Sequence, residues 1–514
     1  MTRDAQWMAT GDGGRMTNAA PLETAPFQAG ERENFSALRE HFQRSGFSES
    51  AVHEALGGRI DRNTDVQFVM RRTAGASPFN HLLRLFVLGI PLREEIARAA
   101  LEPLDFDWMI ESGLIVRMPE GVRSAARLLP WRYLFLLSDF PPPAGVPFRT
   151  DFVMSGSSPS SVSLTKLTPR NRVATALDVG CGAGIHALLA AGHADWVIAT
   201  DINPRALNFA AMNARLNGIH NVSFAAGSFF EPVCGEKFDL IVTNPPFIIC
   251  PRSNLIFQNP GLGGDGVSEL IIREAPGHLN EGGRAISLIS WSHETGEDWA
   301  LRPSAWAAGS GCDFWLLKVV SEDPLDYAGN ALRQTQEIQE PRYGELLDEW
   351  TAWYREQKIS RLALGAAILR KRRSPRNWVH CEKLGGAALS GDAGGQLERV
   401  FAAEDLLESL PKEEALLDRR LALHPDHLIE QKLIAGEGGW ISQSLILLPS
   451  SGIEHRAEID ARVLAFLSEC DGSRTIRELI ADVARKDGVE FGEAASAGLP
   501  LVRRLLRAGF LVEK

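Results

Sequence analysis

The spacing of apolar positions changes character along this chain, and the changes outline its architecture. From Phe35 to about Phe140 apolar residues recur at helical spacing. Phe79–Leu88, Leu92–Leu101 and Phe106–Gly113 predict three short helices, and Leu114–Arg117 predicts a strand. Three helices and a hairpin make a winged-helix arrangement, which in enzymes mostly mediates protein contacts or presents substrate. Short continuous apolar runs then take over, near residues 174–179, 196–200, 222–226, 237–243, 284–290, 313–320 and 360–371. Such runs read as buried strands. Helical stretches separate most of them, which predicts a parallel sheet in an α/β fold. Residues 151–167, with a Ser/Gly centre, predict a hairpin leading into the sheet.

The outer segments are patterned differently. Residues 1–34 mix Gly, Thr, Ala and charge without periodicity and read as a disordered tail. Pro141–Gly145 reads as a linker, as does the Gly/Ala-rich stretch 384–396. A helical stretch is expected near 401–433. Trp440 to Lys514 predicts short strands, helices at 457–468, 475–486 and 498–508, and a closing Gly509–Val512 strand, a second small winged helix. The expected division is therefore a tail at 1–34, a helical winged-helix-like domain at 35–143 and an α/β core at 144–375. A linker and helical segment follow at 376–439, and a C-terminal winged-helix-like domain at 440–514.

Two loops in the core carry chemistry. Strand 174–179 runs into Gly180-Cys181-Gly182-Ala183-Gly184, and a helix-prone stretch follows. Strand, glycine turn and helix open a doubly wound unit, where glycines let the backbone approach a ligand closely. Asp201 ends the next strand, where an acid accepts both hydroxyls of an adenosine ribose. The nicotinamide fingerprint is G-x-G-x-x-G, whereas this loop is G-x-G-x-G preceded by Asp178. A diphosphate avoids a neighbouring anion. The amino group and sulfonium of S-adenosylmethionine do not.

The second loop, Asn244-Pro245-Pro246-Phe247, follows strand 237–243 at its carboxyl end. Two prolines stiffen it. The Asn244 side chain and the Pro245 carbonyl can each accept a hydrogen from one NH2 group, and Phe247 offers a flat face for stacking. An amide or exocyclic amine is a poor nucleophile because its lone pair is delocalised. Two acceptors holding both N–H bonds favour a more pyramidal nitrogen. No metal and no nucleophilic side chain is required.

These stretches resemble the class I S-adenosylmethionine-dependent methyltransferases. More narrowly they resemble the small-domain N-methyltransferases, which include release-factor glutamine methyltransferases and ribosomal-RNA guanine-N2 methyltransferases. The resemblance covers roughly residues 145–375. Asp201–Leu207, Ala210–Asn213 and Asn217 match the second strand, its helix and an NAxxNG-like pattern. Gly261–Gly266 resembles the GG-x-DG segment of the glutamine enzymes, and Leu279–Arg284 the turn before the fifth strand. The resemblance implies a Rossmann-like seven-stranded sheet whose last two strands pair antiparallel. It implies S-adenosylmethionine as cofactor, held by Asp178, Gly180, Cys181, Gly182 and Gly184, by Asp201 and Ile202, by Ser228 and Phe229, and by Asn244. It implies catalysis by Asn244, Pro245, Pro246 and Phe247. The family often has an acid against the adenine amine where this chain has Ser228. The long flanks also depart from the familiar glutamine enzymes.

Composition narrows the partners. A net charge of −11 argues against a protein that coats nucleic acid, although Arg370–Arg373 is a local basic run, either a patch or a solvated strand end. Six cysteines show no C-x-x-C pair or zinc spacing and read as reduced thiols. No stretch reaches the ~20 apolar residues of a membrane span, and the N-terminus lacks a secretory apolar core. A cytoplasmic enzyme with a macromolecular substrate and no membrane partner is expected. The acceptor is either a protein glutamine, toward which the GG-x-DG segment leans, or an RNA or DNA base flipped from its stack, toward which the flanking modules lean. A methyltransferase-like binding module without catalysis is the non-enzymatic alternative. Oligomeric state is not legible.

Overall fold

The computed structural model describes residues 35–58, 66–143, 146–251, 253–258, 261–335, 341–374, 376–385, 389–436 and 439–514. The tail expected at 1–34 lies outside the described residues, as do parts of both expected linkers. The chain divides into two compact units. One holds the described residues up to Leu164 together with Arg172–Glu382, and the other holds Thr165–Asn171 and Lys383–Lys514.

The first unit begins with helices α1 (Phe35–Arg44), α2 (Glu49–Ala55), α3 (Val66–Arg72), α4 (Pro78–Leu82, continued by a π turn to Val87), α5 (Glu94–Leu101) and α6 (Phe106–Glu111). Two antiparallel hairpins follow: β1 (Ile115–Met118) with β2 (Gly121–Ser124), and β3 (Arg127–Trp131) with β4 (Leu134–Ser138). Helix α7 (Pro159–Leu167) occupies the segment expected as a hairpin. The Ser/Gly centre was the misleading signal: Ser158 Oγ accepts from Ser161 N at 3.3 Å, and Pro159 opens the helix. Ser-Pro here is a helix start, not a turn.

The main sheet alternates with helices: β5 (Val173–Val179), α8 (Ile185–Ala190), β6 (Ala194–Asp201), α9 (Pro204–Leu216), β7 (Val222–Ala226), β8 (Phe238–Thr243), α10 (Gly266–Glu274), β9 (Leu279–His293), α11 (Leu301–Ala307) and β10 (Cys312–Glu322). After α12 (Pro324–Leu332) and α13 (Pro341–Glu356) come β11 (Arg361–Lys371) and β12 (Val379–Lys383). The order is β12-β10-β11-β9-β8-β5-β6-β7. All seven expected strands are present, and β12, in a stretch expected as linker, makes an eighth. Strands β9, β8, β5, β6 and β7 run parallel, and β11 is antiparallel to both β9 and β10. The chain steps outward from β5 through β6 to β7, then returns to the other side of β5 with β8. That reversal is the switch point where open α/β sheets bind ligands.

The N-terminal helices share a core with this sheet's helical layer. Phe42, Phe86 and Phe135 belong to the same buried cluster as Phe209, Met212 and Leu216 of α9. Arg205 of α9 makes a bidentate pair with Asp139 at 2.5 Å, both side chains being nearly covered.

The basic run is a structural device. Arg370 and Arg372 donate to the fully buried Asp313, which also accepts from Asn377 Nδ2 and Trp378 N. Burial would raise the Asp313 carboxyl, but the hydrogen bonds from Arg372 and Arg370 outweigh it and hold the group below its usual range. Lys371 Nζ donates to Ser310 O.

The second unit contains α14 (Gly394–Ser409), β13 (Arg420–Leu423), β14 (Leu428–Gly436), β15 (Gly439–Leu448), β16 (Ala457–Ile459), α15 (Ala461–Ser468), β17 (Asp471–Thr475), α16 (Ile476–Asp487), α17 (Phe491–Arg507) and β18 (Leu511–Glu513). The helix expected across 401–433 ends at Ser409, just before Leu410-Pro411. A short 3-10 helix (Glu413–Asp418) and then strands β13 and β14 take the rest, the strands because their partners β17, β18 and β15 lie later in the chain.

Candidate active site

The two loops singled out in the sequence begin side by side. Strands β5 and β8 pair in parallel, with Val179 opposite Thr243 at their last register. Thr243 Oγ1 donates to Val179 O at 2.7 Å and ties the strand ends together. On the other side of β5, Val179 lies opposite Thr200, and Cys181 N donates to Thr200 O at 2.9 Å. The glycine loop, Asp201 and the Asn-Pro-Pro-Phe loop therefore converge at one carboxyl edge.

Gly180, Gly182 and Gly184 all have positive φ (68°, 54° and 86°). A Cβ on Gly184 would sit 2.8 Å from Ala210 Cβ, so this glycine serves close packing of α8 on α9. A Cβ on Gly180 or Gly182 would meet nothing within 4 Å. Their bare backbone faces open space, as a cradle requires.

Two carboxylates flank the cradle. Asp178 is 1 % exposed; its Oδ2 accepts from Ala187 N at 2.8 Å, while Oδ1 is buried with no hydrogen-bond partner among the described residues. Burial pushes Asp178 up to about 7, against the Ala187 N–H, with the Asp201 charge adding to the rise. Asp201 accepts from Gly182 N and Asn203 N, both at 2.8 Å, and burial raises it as well. The Cys181 thiol is raised well above its usual range, by burial first and by the two acids next, which keeps it protonated.

The third strand end completes the rim. Ile202, beside Asp201, is 54 % exposed and presents an apolar face. Ser228 N donates to Glu231 Oε2 at 3.2 Å, and the Ser228 hydroxyl has no partner among the described residues. Phe229 is held at φ 45°, and its carbonyl accepts from Thr200 Oγ1 at 3.2 Å. A left-handed phenylalanine is uncommon and marks a loop shaped by its surroundings.

The second loop is braced at both ends. Asn244 Nδ2 donates to Ser160 Oγ at 3.2 Å and Ser161 Oγ at 3.1 Å, and among the described residues Oδ1 has no partner. Pro245 is buried, and Pro246 and Phe247 are half-buried. Phe247 O accepts from Ser290 Oγ. Just beyond, Ile249 N donates to Tyr327 Oη at 3.1 Å and Tyr354 Oη donates to Ile249 O at 2.7 Å. Burial pushes Tyr327 up to about 12 and raises Tyr354 too, so both act as neutral phenols. Asp265 of the GG-x-DG segment is committed to Ser292 and Arg302. Sequence reasoning missed Ser160, Ser161, Thr243, Ser290, Tyr327 and Tyr354. The serine-rich run 155–163 was a visible signal for the first two. No local signal marks the tyrosines, which arrive from α12 and α13.

These groups fit S-adenosylmethionine. A buried carboxylate oxygen without a donor suits a cation, Asp201 suits a ribose diol, Ile202 suits an adenine face, and the glycine backbone leaves room for the chain between them.

Comparison with known proteins agrees. Residues 157–298 match the family described as Methyltransferase small domain. Release factor glutamine methyltransferase of Xylella fastidiosa is 39 % identical over 126 residues, which is 22 % of this chain and 46 % of that protein. The enzyme of the same name from Cereibacter sphaeroides is 37 % identical over 145 residues, 26 % and 52 % of the two chains. Ribosomal protein uL3 glutamine methyltransferase of Xanthomonas campestris is 38 % identical over 136 residues, 24 % and 44 %. The chain thus spans about half the length of these curated relatives. The matched segment contains both motif loops and α7. Outside it, residues 44–125 and 398–513 match two domains of unknown function, DUF7059 and DUF7782.

Proposed function

We propose that this chain is an S-adenosylmethionine-dependent N-methyltransferase that methylates a planar nitrogen of a macromolecule, and that the acceptor is a protein glutamine side chain. The observation that carries the reading is the Asn244 amide, turned so that Nδ2 faces two serine hydroxyls and Oδ1 has no partner, at the edge shared with the glycine cradle. The cofactor supplies a methyl group already activated on a sulfonium. The protein's part is then positioning, which in the best intramolecular models lowers barriers by roughly 7–11 kcal/mol. Asn244 Oδ1 and the Pro245 carbonyl each accept one hydrogen of the acceptor NH2. Phe247 stacks on its conjugated plane. The nitrogen lone pair would take the methyl as the carbon–sulfur bond of the sulfonium breaks and leaves a neutral thioether, and the surplus proton would leave to solvent.

Names of the relatives support a glutamine acceptor. A nucleobase amine is the second acceptor of the same chemistry. Against it, three of the four cations in the basic run are committed within the fold, Arg370 and Arg372 to Asp313 and Lys371 to Ser310. In this reading the segments 35–143 and 440–514 present the substrate, and the enzyme works in the cytosol. The oriented Asn244 speaks against a binding module without catalysis.

The test is methyl transfer from labelled S-adenosylmethionine into extract of cells lacking this protein, followed by separate digestion of protein and RNA. Label in N5-methylglutamine is expected. Label confined to a nucleobase would replace the glutamine assignment, and no label in either fraction would overturn the enzymatic reading.

A further inference from the structure

We infer that Ser160 and Ser161 are positioning residues that select which end of the Asn244 amide faces the acceptor nitrogen. The inference rests on the methyltransferase reading above. A primary amide has two ends of nearly equal shape and opposite polarity. Only the oxygen end can accept a hydrogen from the reacting NH2. Rotation by half a turn would present two N–H donors instead and repel it.

The structure holds one of the two orientations. Both serine hydroxyls meet Asn244 Nδ2, at 3.2 and 3.1 Å, so both of its N–H bonds have acceptors. Ser161 is buried and also accepts from Ser158 Oγ at 3.1 Å, so in this arrangement both its lone pairs are taken. Ser158 Oγ pairs with Ser160 Oγ as well, at 3.0 Å. The same Ser158 oxygen accepts from Ser161 N at the start of α7. Helix start and amide bracket are therefore one hydroxyl network. The hydrogens of Ser158 and Ser160 are already donated within it, to Ser161 and to Ser158, so a flipped amide would find a donor only in Ser161 and would set Oδ1 against the lone pairs of Ser160.

The experiment compares S160A/S161A with the unaltered chain, and repeats the pair in an Asn244→Asp background. A carboxylate has two equivalent oxygens and no orientation to lose. Initial rates are read with labelled S-adenosylmethionine across a dilution series of protein extract from cells lacking this chain. Removing both serines should lower the maximal rate at least roughly tenfold, the scale of losing one well-made hydrogen bond. The apparent KM for extract and the affinity for S-adenosylhomocysteine should stay put. In the Asn244→Asp background the serines should matter less than about twofold, a change no larger than the usual scatter of such energies. An unchanged rate in S160A/S161A overturns the inference. So does an equal loss in both backgrounds, which is the mark of a merely structural role. If the double variant melts early, Ser160→Ala alone, at a half-buried position, carries the same comparison. Absence of transfer by the unaltered chain overturns the methyltransferase reading instead, so the two failures are distinct.

Discussion

Asn213 pairs its side-chain amide with the backbone of Leu137 as if it were a neighbouring strand. Its Oδ1 accepts from Leu137 N at 2.7 Å and its Nδ2 donates to Leu137 O at 3.0 Å. One helical turn later, Asn217 does the same to Phe135, at 2.9 and 2.8 Å. Four residues of helix rise about 6 Å, and two residues of strand span about 6.6–6.8 Å, so the repeats match. Asn213 Nδ2 also donates to Ala183 O in the glycine loop at 2.9 Å. One fully buried amide thus joins the N-terminal hairpin, α9 and the glycine loop.

Asn213→Ala should therefore be costly. It strands buried groups on Leu137 and Ala183, at about 1–3 kcal/mol for each left unsatisfied. Urea denaturation of the variant should show a lower midpoint with little change in slope. A midpoint within error of the parent would mean that water or repacking replaces the amide.

Asp201→Asn should weaken binding of S-adenosylhomocysteine by about 1–3 kcal/mol, the scale for hydrogen bonds to a charged group. The structure adds a second effect. Gly182 N and Asn203 N both donate to this carboxylate, so the glycine loop should loosen as well. Calorimetry for affinity and hydrogen exchange at Gly182 read the two separately. Unaltered affinity would remove Asp201 from the cofactor site.

Asp178 sets a pH dependence. Burial raises it to about 7, so between the ordinary carboxylate range and about pH 7 the folded chain keeps a proton that the unfolded chain has lost. This group's contribution to stability is full at low pH and is lost as pH rises through about 7. A cationic cofactor favours the ionised form, so affinity should increase toward pH 7 by up to about tenfold per unit, then level off. Proton release on binding, read by calorimetry in buffers of different ionisation heat, checks it. Asp178→Asn should flatten the profile. Affinity constant from pH 5.5 to 7 in the parent would contradict it.

Asn244→Ala should abolish most methyl transfer while leaving S-adenosylhomocysteine affinity near normal. Its acceptor acts mainly as the nitrogen pyramidalises, and losing an interaction made chiefly in the transition state lowers turnover. Asn244→Asp should keep some activity, because a carboxylate still accepts. Phe247→Ala should instead raise the acceptor's KM through lost stacking. Full label transfer by Asn244→Ala would show that another loop carries the chemistry.

The sequence by itself determined the strands that end in chemistry. The apolar runs before Gly180 and Asn244 are local, and buried strands need only such runs and turn residues beside them. The glycines, both prolines and the two acids were legible for the same reason: each is required by the geometry of its own few residues. Tertiary structure alone decided what those loops became together. Parallel pairing of β5 with β8 sets Val179 beside Thr243, although 64 residues separate them along the chain. Nothing local records that register. The Tyr327 and Tyr354 brace and the clamp of Asn213 on Leu137 depend on partners far away in sequence. So does the fate of Arg370 and Arg372, which look like a basic patch until Asp313 is found buried beneath them. Side-chain pairs of this kind are fixed by the closing of the fold, where an unmade hydrogen bond has a cost that no short window of sequence can show.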